Sequence, residues 1–281
     1  MMDRSRLAKI REMARRMRRN VIELAFKAGP NGAHLGSALS IIELTATLYG
    51  GIMRLDPRKP DWLDRDRFIL SKGHGSLGLY TALSEVGFIT RDQLFSFEED
   101  GGELPGQPSM KQAFGIEFSS GSLGLGLSLG IGSALAGRRQ GRDYRVFVLM
   151  GDGETNEGSV WEAAMAAAHY RLGGIVVIID HNGMQSDGCN ASIMSIDLES
   201  MWKGFSWQTV IVDGHNIESI YCALEKAGRQ REGTPLAVIA KTVKGKGISF
   251  MENNNEWHHN VLTKARYAVA VAELEANEKN P

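Results

Sequence analysis

Continuous apolar runs alternate along the chain with segments of helical periodicity. The predicted strands are RFIL at 67–70, YRVFVLM at 144–150, GGIVVIID at 173–180, QTVIVDG at 208–214 and PLAVIAKTV at 235–243. Because these runs are apolar and are separated by helices, they indicate a parallel sheet covered on both sides. The expected fold is a doubly wound α/β sheet, in which ligands bind outside the carboxyl ends of the strands.

The predicted helices connect these strands. One spans about 77–86, one continues to about residue 172 and one to about residue 230. A further helix is expected over about 262–276. The apolar segment 121–137 is rich in glycine and shorter than the ~20 residues that span a bilayer, so we predict a buried helix there.

A basic helix is predicted at the N-terminus, over about 4–28. Its apolar residues recur three and four positions apart, which favours a surface helix packed through one stripe. The stripe residues are Leu7, Ile10, Ala14, Met17, Val21 and Leu24, and the opposite face carries Arg11, Arg15, Arg16, Arg18 and Arg19. A role in subunit contact is the alternative interpretation.

The segment 95–118 has no clear periodicity. It contains FEEDGGELPGQPS, whose glycines and prolines predict a long loop, and a loop of this length in a compact domain is usually functional. Since the sequence has no repeat and no low-complexity linker, residues 1–281 are interpreted as a single domain.

Composition narrows the class of protein. Hydrophobic residues make up 43% and charged residues 23% of 281 residues, which is typical of a soluble globular protein. The net charge of −1 gives no reason to expect nucleic acid or an anionic membrane as a partner. Cys189 and Cys222 lack disulfide or metal spacing, and the N-terminus lacks a signal-peptide core. We therefore expect a cytoplasmic protein.

Two polar residues directly follow neighbouring predicted strands. Asp152 comes just past the strand that ends at Met150, and Asn182 just past the strand that ends near Asp180. A right-handed crossover places these strands in parallel, usually side by side, so both loops reach one edge of the sheet. A carboxylate and an amide oxygen suit Mg²⁺ or Ca²⁺, and Mg²⁺ leaves positions for phosphate oxygens. The pair predicts a metal site that binds a diphosphate.

The GDGETNEG segment supports this hypothesis. Gly151 and Gly153 allow the backbone to approach an anion, and a helix expected from about Asn156 presents free N–H groups. Alone, the GDG segment is more typical of a plain turn; Asn182, thirty positions later and after a second buried strand, reverses this and favours the metal site.

Several ordered motifs resemble the N-terminal half of transketolase. They are GAHLGSALSIIEL, SKGHGSLGLYTAL, EFSSGSLGLGLSLGIGSALA, GDGETNEGSVWEAA, IIDHNGMQSDG and KTVKGKGISFMENNNEWHH, and the resemblance runs from about residue 20 to 265. It implies a thiamine diphosphate-binding fold of the diphosphate-binding type. The implied cofactors are thiamine diphosphate and Mg²⁺ (or Ca²⁺).

The resemblance also implies roles for individual residues. Asp152, Asn182 and the backbone carbonyl of Met184 would ligate the metal, and Gly153 and His74 would contact the diphosphate. The positions expected near the rest of the cofactor are Gly121, Leu123 and Asp180, while Glu157 and Glu162 match dimer-interface positions close to it. Lys244 and Lys246 lie on a glycine-rich loop, where they either neutralise phosphate charge or face solvent.

His34 and His258 match histidines that face the reacting carbons. Transfer of a two-carbon unit requires hydroxyl protons to leave and return near neutral pH, where imidazole titrates. His259 competes with His258 for this role, and His74 could by itself be an ordinary loop residue. His169, His181 and His215 have no implied role and are interpreted as structural or exposed.

Two positions depart from the family pattern. Gln107 stands where transketolases have a histidine that touches the first hydroxymethyl group of the donor. Gln107 can still hydrogen-bond there, but the change predicts substrates other than the standard pentose-phosphate sugars. Leu125, in GSLGLG, stands at a normally polar position near the cofactor.

Length is a third departure, because the activating glutamate and the aminopyrimidine pocket belong to a second domain that this sequence lacks. The expected protein is one half of a split transketolase that pairs with a second, pyrimidine-binding subunit, with a heterotetramer as the simplest assembly. It would transfer a two-carbon ketol unit from a ketose to an aldehyde. The alternatives are a decarboxylating enzyme similar to deoxyxylulose-phosphate synthase and a non-catalytic cofactor-binding module.

Overall fold

A computed structural model describes residues 4–229 and 233–279 of the chain. Its centre is a sheet of five parallel strands in the order β1-β2-β3-β5-β4. The strands are β1 (Arg67–Leu70), β2 (Val146–Gly151), β3 (Ile175–His181), β4 (Gln208–Asp213) and β5 (Leu236–Lys241). This confirms every predicted strand, to within two residues at each end, and the α/β fold class.

Helices cover both faces of the sheet. They are α1 (Arg4–Lys27), α2 (Leu35–Leu39), α3 (Ile42–Thr47), α4 (Ser76–Val86), α5 (Arg91–Leu94), α6 (Gly126–Arg139), α7 (Gly158–His169), α8 (Asn190–Ile193), α9 (Leu198–Gly204), α10 (Ile217–Glu225) and α11 (Lys264–Lys279). None of the helices in the described part of the chain is long and apolar enough to cross a membrane.

Alternate residues of the central strands belong to two separate hydrophobic cores. Phe147 and Leu149 pack with α1, α3, α4 and α10, whereas Val148 and Met150 pack with α6, α7 and α9. Since side chains of a strand point alternately to opposite faces, burial on both faces requires an uninterrupted apolar run. Strand β4 lies at the edge of the sheet and is only partly buried, and its Ile211 is exposed.

Helix α1 buries every residue of its predicted stripe. Its arginine face differs from the prediction at one position, because Arg18 is buried and pairs with Glu43 of α3. Arg16 and Arg19 remain near solvent and pair with acidic residues of other helices. Arg16, Arg18 and Arg19 therefore attach α1 to neighbouring helices of the same chain, whereas Arg11 and Arg15 are exposed.

Two predicted helices differ from what is observed. The 121–137 segment is not a buried helix: α6 begins only at Gly126 and is exposed on one face at Ser128, Gly132 and Ala136, and its N-cap residue Leu125 is 49% exposed. The inner face packs closely, since a Cβ at Gly130 would lie 2.8 Å from Val148. Helix α10 ends at Glu225 rather than near residue 230, because the chain turns into a left-handed conformation at Gly228.

The predicted long loop crosses the carboxyl edge of the sheet. Its only helical turn within 95–118 is Gln112–Phe114. The Ser76 hydroxyl donates to the Gly106 carbonyl at 2.8 Å, and the Tyr80 hydroxyl donates to the Pro105 carbonyl at 2.9 Å. These bonds anchor the loop on α4 and position Gln107, the next residue, at the sheet edge.

Candidate active site

A cleft of about 210 Å³ opens at the carboxyl edge of the sheet. The predicted metal and diphosphate residues that line it are Gly151, Asp152, Gly153, Asn182, Met184 and Lys244. The other predicted residues that line it are His34, His74, Gln107, Gly121, Leu123 and His258. Segments spread over more than two hundred positions of sequence therefore meet at one site, as parallel-sheet topology dictates.

The two predicted metal-binding loops are joined directly. Asp152 is buried, and its carboxylate accepts hydrogen bonds from the Gly153 N–H at 2.8 Å and from the Gly183 N–H at 2.6 Å. The Asn182 side-chain oxygen accepts a bond from the Met184 N–H at 3.0 Å. The loop after β3 is thus folded around Asp152.

The charged form of Asp152 is disfavoured in the protein alone, although its carboxylate accepts two backbone N–H bonds. Burial, followed by the nearby charge of Asp180, raises the pKa of the Asp152 carboxyl. A divalent cation would remove this penalty, and the donor set of carboxylate, amide and carbonyl oxygens suits Mg²⁺. No group of three or more His, Cys, Asp or Glu side chains within 4–229 and 233–279 could hold a metal. A site of this composition therefore needs phosphate or water oxygens to complete it.

A fully buried ion pair lies beneath the metal site. The ammonium of Lys72 donates to Asp180 and, at 3.1 Å, to the Ser37 carbonyl. Ser40 and Thr242 also donate to the Asp180 carboxylate, as does Asn182 at 3.0 Å. Burial alone would raise the pKa of Asp180, but the Lys72 charge and these bonds outweigh it and hold the pKa below its usual value.

Asp180 therefore lies behind the cleft wall and orients Asn182 from below. Its partner Lys72 is not among the residues predicted from the sequence. The only sequence signal for Lys72 is its place between β1 and the GHG turn, at the carboxyl end of a buried strand.

Glu154 is a second site residue that was not predicted from the sequence. One of its oxygens accepts bonds from the Ser71 hydroxyl and, at 2.9 Å, from the Gly124 N–H; the other accepts the Gly151 N–H at 3.1 Å. Burial raises the pKa of this carboxyl. Glu154 ties the loop that carries Gly121 and Leu123 to the ends of β1 and β2.

The three predicted histidines meet above the metal site. The ring centroids of His34 and His258 are 5.5 Å apart, those of His34 and His74 5.8 Å, and those of His74 and His258 5.3 Å. His258 is the member of the HH pair that lines the cleft, while His259 is exposed and packs against the His34 ring. Of the two neighbouring histidines, the structure therefore places the His258 ring in the cleft.

All three imidazoles are held in the neutral form. Burial, followed by neighbouring cationic groups, lowers the pKa of His34 to about 4 and that of His258 to about 4. Burial likewise lowers the pKa of His74 well below its usual value. Neutral imidazoles can accept a proton or donate one at a defined nitrogen.

We expect His34 and His258 in the free protein to titrate near pH 4 instead of near 6.5. Their folded-state pKa values are lower than the unfolded ones, so between these values the unfolded chain binds more protons. The free energy of unfolding should therefore fall as pH drops from 6.5 towards 4. An NMR titration of the Cε1 protons, assigned with single His→Gln variants, tests this; midpoints close to 6.5 would contradict it.

Gln107 sits against two glycines. A Cβ on Gly121 would lie 2.4 Å from the Gln107 side-chain oxygen, and one on Gly73 would lie 2.9 Å from this oxygen and 2.9 Å from the Gly121 backbone nitrogen, so a larger residue at either position would displace Gln107 or the backbone. The Ser120 hydroxyl is buried next to it without a hydrogen-bond partner among the described residues. Of these two polar groups, Gln107 lines the cleft, whereas the Ser120 hydroxyl lies behind it.

The two loop lysines differ in placement. The buried Lys244 ammonium donates to the Gln185 carbonyl at 2.9 Å, to the Asn255 side-chain oxygen at 3.2 Å and to His258 Nδ1 at 3.1 Å. All three of its protons are used, so it offers an anion its charge and no hydrogen bond. Lys246 lies outside the cleft and pairs with Glu252, which excludes it from the phosphate role.

The outer face of α6 and α7 borders the cleft. Glu157 and Glu162 are exposed there, together with Met165. The Glu157 side chain lies against Gly124, where a Cβ would be 2.7 Å from the Glu157 Cβ. The positions that the resemblance assigns to a subunit interface are thus open on this chain.

The fold and the site define an α/β domain with a polar cleft at the carboxyl edge of a parallel sheet. Residues 11–280 match the family described as "Transketolase, thiamine diphosphate binding domain". The chain belongs to the transketolase family, and it is a transketolase-type transferase subunit that carries the family's thiamine diphosphate-binding domain.

Two similar proteins are themselves named as subunits. A 6-deoxy-6-sulfo-D-fructose transketolase subunit of Clostridium sp. (strain MSTE9) is 41% identical over 86% of this chain and 88% of its own length. An apulose-4-phosphate transketolase subunit of Phocaeicola vulgatus is 40% identical over 92% and 90%, respectively.

Other similar proteins are longer. Human transketolase is 38% identical over 93% of this chain, which spans 41% of the human protein. The structure of transketolase from Leishmania mexicana superposes with a TM-score of 0.86 at 26% identity, and covers 95% of this chain and 41% of its own.

Proposed function

We propose that this chain is the diphosphate-binding subunit of a thiamine diphosphate- and Mg²⁺-dependent transketolase, which transfers a two-carbon ketol unit from a ketose to an aldehyde. The observation that carries the proposal is the direct junction of the Asp152 and Asn182 loops beneath three neutral histidines. The joined loops supply the metal–diphosphate site, and the histidines supply proton acceptors and donors at the position of the reacting carbons.

The bound thiamine diphosphate would supply the ring that holds the two-carbon fragment. Asp152, Asn182 and the Met184 carbonyl would hold the metal ion. Gly151, Gly153 and His74 would contact the diphosphate, and the positive charge of Lys244 would favour it. The loop with Gly121 and Leu123 would support the ring, and His34, His258 and Gln107 would face the substrate hydroxyls.

A second, pyrimidine-binding subunit completes the site. The open outer face of α6 and α7, with Leu125 49% and Met165 51% exposed, supports a contact there. The exposed carboxylates Glu157 and Glu162 lie on the same face, next to the cleft. The names of the subunit-type relatives agree with a two-chain enzyme, and two such pairs would form a heterotetramer. A reducing, cytoplasmic setting fits, since neither Cys189 nor Cys222 is in a disulfide.

Gln107 points to an unusual sugar as substrate. A neutral side chain can hydrogen-bond a donor hydroxymethyl group but cannot carry charge, which alters the discrimination between donors. Relatives named for a sulfo-sugar and for apulose 4-phosphate indicate that such specialisation occurs at 40–41% identity.

The test is an assay of the reconstituted pair with a donor panel: phosphorylated ketoses, apulose 4-phosphate, 6-deoxy-6-sulfofructose and pyruvate, each with an aldehyde. We expect ketol transfer from a ketose with no release of carbon dioxide. A Gln107→His variant should shift the donor preference within the panel. Carbon dioxide release from pyruvate would instead identify a decarboxylating enzyme, and binding without any turnover would identify a non-catalytic module.

A further inference from the structure

We propose that Arg18, Glu43 and His215 form a clamp that holds the backbone on both sides of Lys244 by hydrogen bonds. The three clamp residues thereby position the side chains of Lys244 and His258. The inference rests on the proposed function, in which His258 faces the substrate. None of the three clamp residues lines the active-site cleft.

The base of the clamp is a buried ion pair between two helices. Arg18 of α1 donates from both terminal nitrogens to one oxygen of Glu43 of α3, at 3.0 and 2.7 Å. Burial alone would raise the pKa of Glu43, but Arg18 and the bond from His215 outweigh it, so the pKa lies below its usual value. Glu43 is therefore a charged and fixed acceptor.

His215 connects this pair to the chain just before Lys244. Its Nε2 accepts a bond from the Val243 N–H at 2.8 Å, so the proton of the neutral ring must be on Nδ1. Nδ1 lies 2.9 Å from the second oxygen of Glu43 and donates to it. A single tautomer satisfies both contacts.

Arg18 holds the backbone that follows Lys244. Its Nε donates to the Lys246 carbonyl at 3.2 Å, and Gly247 lies so close that a Cβ there would be 2.7 Å from this nitrogen. Between the two contacts, the Gly245 N–H donates to the Gly36 carbonyl at 3.0 Å. Backbone groups on both sides of Lys244 are thus held, and its side chain is directed into the site.

The consequence reaches His258 through the Lys244 ammonium. An ammonium can only donate, so His258 Nδ1 accepts its hydrogen bond at 3.1 Å and the imidazole proton resides on Nε2. The clamp therefore fixes which nitrogen of His258 donates and which accepts. If the loop shifted, this bond would be lost and His258 would populate both tautomers.

The experiment separates the two contacts of His215 with matched variants. A glutamine places its amide near the position of Nε2 and can still accept from Val243, whereas an asparagine places its amide near Nδ1 and can contact only Glu43. ¹⁵N NMR of the free chain reports the His258 tautomer, with the seven histidines assigned by single substitutions. Calorimetry with thiamine diphosphate and Mg²⁺, and turnover of the reconstituted pair, are measured in parallel.

We expect His258 of the unmodified chain to be protonated at Nε2 only, and the same for His215→Gln. His215→Asn and His215→Ala should give mixed tautomers and turnover lowered by about tenfold or more, since small misplacements of catalytic groups have effects of this size. Arg18→Lys keeps a positive charge beside Glu43 but loses the Nε bond to the Lys246 carbonyl. It should also give mixed His258 tautomers and lower turnover, and it tests the proposal if the His215 variants do not fold.

Mixed tautomers in the unmodified chain, or an unchanged His258 signal in His215→Ala and Arg18→Lys, would overturn the clamp. A reconstituted pair without ketol transfer would overturn the proposed function instead, while the NMR result on the free chain would stand.

Discussion

Asp152→Ala should abolish Mg²⁺-dependent binding of thiamine diphosphate, with affinity falling more than about a hundredfold. Substituting the residues that merely orient a metal ligand lowers affinity by about 10–100-fold, so removal of a charged ligand should exceed that range. The Asp152 carboxylate also accepts the Gly153 and Gly183 N–H bonds, so the alanine variant should unfold at a somewhat lower temperature than the unmodified chain.

Calorimetry on the assembled protein measures this effect. Asp152→Asn keeps an oxygen ligand but loses the charge, and should fall between the alanine variant and the unmodified chain. Asp92→Ala, at an exposed position of α5, is the control and should bind normally. Unchanged affinity in Asp152→Ala would refute the metal assignment.

Lys72→Met should lower the free energy of unfolding by about 3–5 kcal/mol, the range found when one partner of a buried ion pair is removed. The Lys72 side chain is 1% exposed and that of Asp180 is completely buried. Without the ammonium, burial would raise the pKa of Asp180, so the carboxyl would either take up a proton or remain charged without its partner.

Denaturant unfolding measures the loss. The control is Lys111→Met, which removes an ion pair to Glu103 whose side chains are 37% and 44% exposed, and which should change stability by less than about 1 kcal/mol. If Lys72→Met lowered the free energy of unfolding by less than about 1 kcal/mol, the Lys72–Asp180 pair would not stabilise the site.

The strands and the two loops that carry Asp152 and Asn182 could be predicted because the sequence patterns that indicate them are local. An uninterrupted apolar run reports burial on both faces, and a polar residue just past such a run must lie at the carboxyl edge. Asp152 and Asn182 follow from these two rules, and the histidines of the GAHLGS and SKGHGS motifs follow from the family resemblance.

The remaining features depend on contacts between distant segments. Lys72 lies 108 positions from Asp180, and His215 lies 172 positions from Glu43, so no periodicity connects them. The choice of His258 over His259 depends on which ring points into the cleft, which adjacent positions cannot reveal. The open face of α6 could not be predicted either, because an apolar, glycine-rich segment has the same composition whether a partner or its own fold covers it.

The central claim is that this chain supplies the diphosphate half of an active site whose other half lies on a second chain. The most direct measurement is ketol transfer as a pyrimidine-binding transketolase subunit is titrated into this chain, with thiamine diphosphate and Mg²⁺ present. The account predicts no turnover for either chain alone and a rise that saturates at equimolar subunits. Full turnover by this chain alone, or none at any ratio with a partner that binds it, would contradict the account.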